Sequence, residues 1–513
     1  MSAIITKEKR NVIPRWRSFK DTVALGELAR APKVLPSPPR DEQLARRLWE
    51  WSRNRTIWHA ADLVGCAFVL RRPEVAKEAA EFILSTKNSP AAAASLASRL
   101  LNQKARPTRP QITAAHGDVR EVRGVIHLAR QRLQEDPRNA IQWVDLALQY
   151  TVLGMDEQAD RAINIATSLG RNNRFILRAA SRFHVHHGDV ERAHSLLKNA
   201  PSTRNDPWLL AAEIALAAAA GLPSGFARLG RRLLDDESIN PTHLTELASE
   251  LATLELSYGK VRNAKKLFRR SFTGANENSL AQAEWAWQQV SGHQLDMSGF
   301  DVPYDFEAQA WHAFQIGAWD LALANSKSWL VDQPFSRRPA ILGSYVASSI
   351  LEDYRAAAEI SERSLLPNPT DPILLNNLAF AYANLDQLND AQAALDKVDK
   401  RKATGYDLIC LTATQGLVYY RQGRVEDGRN LYRQALRLAE QSKNAMYYAE
   451  ALIHLALEEI RSGSDYAKGA VDAAQKAAEG QSSRNTRVLL ERLRHKQAEH
   501  PIPPFGMVEG KQV

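Results

Sequence analysis

Along residues 140–234 apolar side chains recur with the period of a helix, and the helices recur with a longer period of their own. Trp143, Leu146, Ala147 and Tyr150 fall at i, i+3, i+4 and i+7, one face of a helix. Gly154 breaks the pattern, and Ala159, Ile163 and Ala166 then mark one face of a second helix. Thirty-four residues further on, Leu177, Ala180, Ser181 and His184 take the first-helix places. Gly188 takes the break, and Ala193, Leu197 and Ala200 take the second-helix places. Another 34 residues bring Ala211, Ile214, Ala215 and Ala218, then Gly221, Ala227 and Leu234. The pattern predicts stacked helical hairpins, with no alternating run of the kind a strand needs.

Looser units follow at Ala248, Leu251, Ala264 and Phe268, and at Phe306, Ala310, Ala313, Gly317 and Ala322. Ile341, Tyr345 and Ala357 lead into a strict unit at Leu375, Leu378, Ala379, Tyr382, Ala391 and Leu395. Gly416, Tyr419, Gly428, Tyr432 and Ala435 make another. Near the start, Leu63, Ala67, Ala76, Ala80 and Ile83 predict a hairpin. The small residues let the helices of one hairpin approach, and the large ones fill the space between hairpins. A single hairpin cannot bury its apolar face, so neighbours must stack.

This pattern resembles the tetratricopeptide repeat family, whose period is about 34 residues. The resemblance implies an all-α superhelical solenoid of roughly ten hairpins. It also implies that first helices line a concave face that binds other proteins. On that mapping the groove residues are Arg178, Arg182 and His186; Trp311 and Phe314, beside Glu307; Asn376, Phe380 and Asn384; and Tyr420 and Arg421. The like-charged pair Arg178 and Arg182, at i, i+4, suggests an acidic or extended partner segment. The family's clamp for a C-terminal carboxylate has one matching residue, Asn377, but lacks the Lys of neighbouring repeats.

The chain divides by pattern. Residues 1–40 form a basic, Pro-containing arm, and 41–139 hold the first hairpins. Residues 140–290 form one array, 291–303 interrupt it, and 304–480 form a second. A last helix over 481–499 precedes a tail, 500–513, expected to be disordered. A second break is expected around Pro107 and Pro110.

Composition adds three points. The net charge of +9 sits at the ends: residues 1–55 hold 13 Lys/Arg against 6 Asp/Glu, and 481–513 hold 6 against 3. The body is therefore near neutral, unlike a groove that tracks phosphates along its length. Cys66 and Cys410 are too few for a disulfide framework or a thiolate metal site. No apolar stretch among residues 1–17 forms a signal peptide, and none elsewhere spans a membrane, so a cytoplasmic protein is expected.

Within the arm, Arg15, Trp16, Arg17 and Phe19 read as a docking peptide, for a partner or for the chain's own groove. Basic plus aromatic residues also suit nucleic acid. No phosphate-binding loop, zinc spacing or nucleophile elbow occurs, so no catalytic centre and no cofactor is expected. His184 and His187, at i, i+3, are read as packing and capping residues and not as metal ligands. The expected role is a non-enzymatic interaction scaffold or adaptor. A regulatory subunit for a separate enzyme such as a nuclease or toxin, and an RNA-binding helical repeat, stay open beside it.

Overall fold

The computed structural model describes residues 1–4, 13–19, 41–70, 72–86, 89–101, 119–236, 239–399, 401, 403, 405–481 and 483–499. The tail and the break read around Pro107 lie outside the described residues, as does the arm over 5–12 and 20–40. The described residues are helical, with no strand among them.

The helices pair across short turns. α1 (Asp41–Arg53) pairs with α2 (Ile57–Val69), and α3 (Lys77–Ser85) with α4 (Ala91–Leu101). A single α5 (Val119–Glu135) leads into α6 (Ala140–Val152) and α7 (Asp156–Leu169). Then come α8 (Arg174–His186) with α9 (Val190–Asn199), α10 (Pro207–Ala219) with α11 (Ala227–Leu234), and α12 (Thr245–Ser257) with α13 (Val261–Ser271). After α14 (Glu277–Ser291), the pairs are α15 (Phe306–Ile316) with α16 (Trp319–Asp332) and α17 (Arg337–Tyr345) with α18 (Tyr354–Leu365). The series ends with α19 (Pro372–Asn384) and α20 (Leu388–Asp396), α21 (Gly405–Arg421) and α22 (Val425–Gln441), α23 (Ala445–Arg461) and α24 (Ala467–Glu479), and a lone α25 (Arg484–Glu499). A π-turn over Val346–Ile350 extends α17.

Local chemistry sets the starts. Asp206 and Asp371 each cap a helix that begins with Pro, and each side chain accepts two backbone N–H groups. Asn139, Asn173 and Asn444 cap α6, α8 and α23, each side chain accepting one backbone N–H group. Two glycines allow close approach. A Cβ on Gly416 would lie 3.0 Å from the Gly428 carbonyl oxygen, and one on Gly428 2.8 Å from that of Gly416, so α21 and α22 cross almost backbone to backbone. Gly154 turns α6 into α7 at φ +67°.

α14 has no second helix. Residues 292–305 fill its place, burying Leu295, Met297 and Val302 against Trp287 and Ala308. The apolar core thus runs through the interruption into α15.

The solenoid curls back on itself. A Cβ on Gly154 would lie 2.3 Å from the Leu366 carbonyl oxygen, so the α6–α7 turn abuts the end of α18. Phe335, between α16 and α17, is fully buried in the cluster built by α6–α8. α25 returns to the second array: Asn485 Nδ2 donates to the Tyr345 hydroxyl at 3.3 Å, and Arg484 donates to the Ile316 carbonyl. The result is a closed turn of superhelix around a channel lined by first helices.

Candidate interaction channel

The channel holds the chain's own N-terminal arm in two pieces. Residues 1–4 lie among α17, α19, α21 and α23. Asn376 Nδ2 donates to the Met1 carbonyl at 2.8 Å, and the Met1 amine donates to Thr414 Oγ1 at 2.6 Å. Asn377 pairs with Ala3 in both directions: the Ala3 N–H donates to Oδ1 at 2.6 Å and Nδ2 donates to the Ala3 carbonyl at 3.0 Å. The Tyr447 hydroxyl donates to the Ile4 carbonyl at 2.9 Å. Met1, Ala3 and Ile4 are buried in one core cluster with Trp311, Phe314 and Phe380. An extended peptide offers such groups to anything that can pair them, and a carboxamide can act as donor and acceptor at once.

Residues 13–19 lie where the superhelix closes. Trp16 is buried, its ring 6.1 Å from Phe183 and 5.5 Å from Phe335, so it bridges α8 and the loop before α17. Its indole N–H meets no acceptor among the described residues, so ring shape and edge contacts recognise it. Arg15 donates to Glu307 at 2.8 Å and to Asn278 at 3.1 Å. Arg17 forks onto Asp332 at 2.5 and 3.0 Å, reaches Glu277 at 2.7 Å and lies over the Tyr304 ring. Phe19 packs against Phe175, and its N–H donates to Asp145 at 2.8 Å.

Burial works against the charge on Arg17, but Glu277 and Asp332 outweigh it and raise its pKa. Burial likewise works to raise the Glu277 carboxyl; Arg17 and Arg15 overcome it and hold the group below the ordinary range. Charge is therefore retained on both sides of this contact. The other seat behaves oppositely. There burial pushes the Glu450 carboxyl up to about 8 and lowers the His454 imidazole well below its usual value.

The groove residues read from the sequence occupy this channel in different ways. Asn376 contacts the arm directly, while Trp311, Phe314 and Phe380 belong to the same apolar cluster as Met1, Ala3 and Ile4. Asn384 accepts from Arg421 at 3.3 Å; Arg421 also holds Glu458, at 2.8 Å, and Tyr420 donates to Glu459 at 2.7 Å. Arg178, read as facing an acidic ligand, meets the chain's own Glu246 at 2.8 and 3.1 Å. Arg182 donates to Ser336 at 3.3 Å and lies over Phe335. His186 packs on Phe335, and burial, with His187 and Arg182 nearby, lowers its pKa to about 3. His184 is buried in its helix face, and His187 packs edge-on against Phe183.

These contacts join into one polar chain. Arg178 pairs with Glu246, which accepts from Asn278; Asn278 accepts from Arg15, and Arg15 shares Glu307 with Arg338. Asp332, Gln333, Phe335, Thr414 and Tyr447 escaped the sequence reading. The first three sit in or beside a turn with no periodic signal. Thr414 and Tyr447 fall within helices and become significant only once the arm lies against them.

No protein-family model and no curated protein matches the chain. Among solved structures it is similar to yeast Tom70, at 13% identity over 86% of this chain and 96% of that one, with a TM-score of 0.29. It is also similar to the APC/C hetero-tetramer Cut9–Hcn1, at 13% identity over 88% and 92%, TM-score 0.38. A tetratricopeptide repeat protein from Parabacteroides merdae covers 51% of this chain at 16% identity, with 91% of its own length matched and a TM-score of 0.24. The recurring hairpins, the small residues at their crossings and the superhelical channel give this chain the fold of an all-α solenoid of tetratricopeptide-like helical hairpins.

Proposed function

We propose that this chain is a non-enzymatic interaction scaffold whose channel binds an extended segment of another protein. One observation carries the reading: the channel already seats an extended peptide, the chain's own arm, through backbone-pairing amides and matched carboxylates. A surface that solves this problem in cis has the chemistry to solve it in trans. The carboxylates Glu277, Glu307 and Asp332 on the channel wall speak against a phosphate backbone as the ligand.

The test is cross-linking with mass spectrometry on tagged full-length chain in its native cells. Partner cross-links are expected on the inner helices α14, α15, α19, α21 and α23. Links confined to the outer helices, such as α7, α9 and α22, would overturn the channel as the binding surface.

A further inference from the structure

Resting on that reading, we infer that the seat of residues 13–19 is a receptor for a partner segment of the pattern basic–aromatic–basic, and that the arm is its built-in competitor. The occupant's chemistry is written in the seat. Two acidic positions, Glu307 on one side and the Asp332–Glu277 pair on the other, hold the arm's two guanidinium groups, with Glu307 shared with Arg338 and Asp332 also facing Arg15. Between them Phe183 and Phe335 form a slot for one large ring, with Phe175 beyond it for a second. Gln333 lies against both the N–H and the carbonyl of the residue in the slot, at 3.4 Å, which keeps the segment extended. Arg15, Trp16, Arg17 and Phe19 meet each requirement, but so does any chain carrying the same alternation.

The arm does not fill the seat. A cavity of about 200 Å³ lies beside Pro14 and Arg15, bordered by Arg182, Gln282, Ser336 and Trp329. The Trp16 indole N–H meets no acceptor among the described residues. The cavity leaves room for a larger side chain in place of Pro14. The arm belongs to the same chain, so it competes intramolecularly, an advantage that a free segment must beat.

The probe is a labelled peptide with the sequence of residues 13–19, Ile-Pro-Arg-Trp-Arg-Ser-Phe. Anisotropy is read with full-length chain and with its Trp16→Ala, Arg17→Ala double variant. The variant should bind the peptide at least ~10-fold more tightly than the unaltered chain, because its competitor is crippled. A peptide with Glu at both Arg positions should not bind. Equal affinity for both chains, or no binding to a variant that keeps its helical circular dichroism and its small-angle scattering profile, overturns the proposal.

Should the variant fail to fold, hydrogen exchange on the unaltered chain decides. Amides of Trp16 and Phe19 should exchange by local opening, well before the inner helices. Exchange only at the rate of global unfolding makes the arm a permanent strut and overturns the proposal. A concentration-dependent dimer that Trp16→Ala abolishes would mean that a second copy's arm is the occupant, which also overturns it. Partner cross-links in the channel with residues 13–19 still protected would refute this exchange while leaving the scaffold reading intact.

Discussion

Residues 1–4 are gripped by their backbone, whereas residues 13–19 are gripped by their side chains. In the first seat Asn376, Asn377, Thr414 and Tyr447 reach main-chain atoms, and the surrounding apolar cluster takes the Met1, Ala3 and Ile4 side chains. In the second, two arginines and two aromatic rings carry most of the contacts. The difference has a physical reading. Backbone pairing holds any extended chain of suitable bulk, while an acid–slot–acid arrangement selects a sequence. One arm thus samples a tolerant site and a discriminating one, and substitutions at each should behave differently.

The largest effect belongs to Trp16→Ala. Emptying a fully buried ring site costs about 3–5 kcal/mol in a well-packed core. Because Trp16 bridges Phe183 and Phe335, the loss should free residues 13–19 and loosen the superhelical closure together. Limited proteolysis at Arg15 and Arg17, with small-angle scattering for the closure, reads both. Arg15 and Arg17 staying protected from trypsin in that variant would sink the idea that the ring anchors this seat.

Next comes Asp332→Asn, which removes the charge that Arg17 forks onto and that Arg15 faces at 3.7 Å. Glu277 and Glu307 remain, so the cost should be about 3 kcal/mol or less, in the range of a charged hydrogen bond. Faster hydrogen exchange at Trp16 with no change at Ala3 is the expected result; equal acceleration at both would erase the distinction between the seats. Asn377→Ala is the converse. It strips both bonds to Ala3 and one to Ser344, for about 2 kcal/mol, and should release residues 1–4 while residues 13–19 stay protected.

The hairpins were readable in the sequence because each is a local object. Trp143 to Ala166 declare two helices and a break within one period, and the same register returns at Leu177 and Ala211. What fills the channel was not readable. Ala3 meets Asn377 and Trp16 meets Gln333 across more than three hundred positions, and no periodicity links residues so far apart. The cluster Arg15, Trp16, Arg17 and Phe19 stands out against a Pro-rich stretch, but the residues it meets were not readable. Arg178 and Arg182 illustrate the same limit. The resemblance implied that they face a groove, whereas Glu246, the carboxylate that meets Arg178, comes from two hairpins away.

The smallest effect concerns pH and separates the seats by their charge states. Glu450 stands in the first seat with its carboxyl raised by burial from 4.5 to about 8. The folded chain therefore keeps a proton that the unfolded chain releases. That contribution to stability is complete below about pH 4.5 and is lost as pH rises through about 8. Glu450→Gln keeps the shape and removes the titration. Its melting temperature should thus gain on the unaltered chain as pH goes from 6 to 9; the Met1 amine, lowered by burial to about 5, is the titrating group that faces Glu450. The second seat predicts no such slope: Arg17 is raised and Glu277 lowered, so both keep their charge throughout that window. Hydrogen exchange at residues 1–4 should quicken toward pH 9, after correction for the intrinsic rate, while that at Trp16 holds constant. Parallel melting curves for the variant and the unaltered chain would mean that Glu450 is already ionised at neutral pH, and that the first seat is as charged as the second.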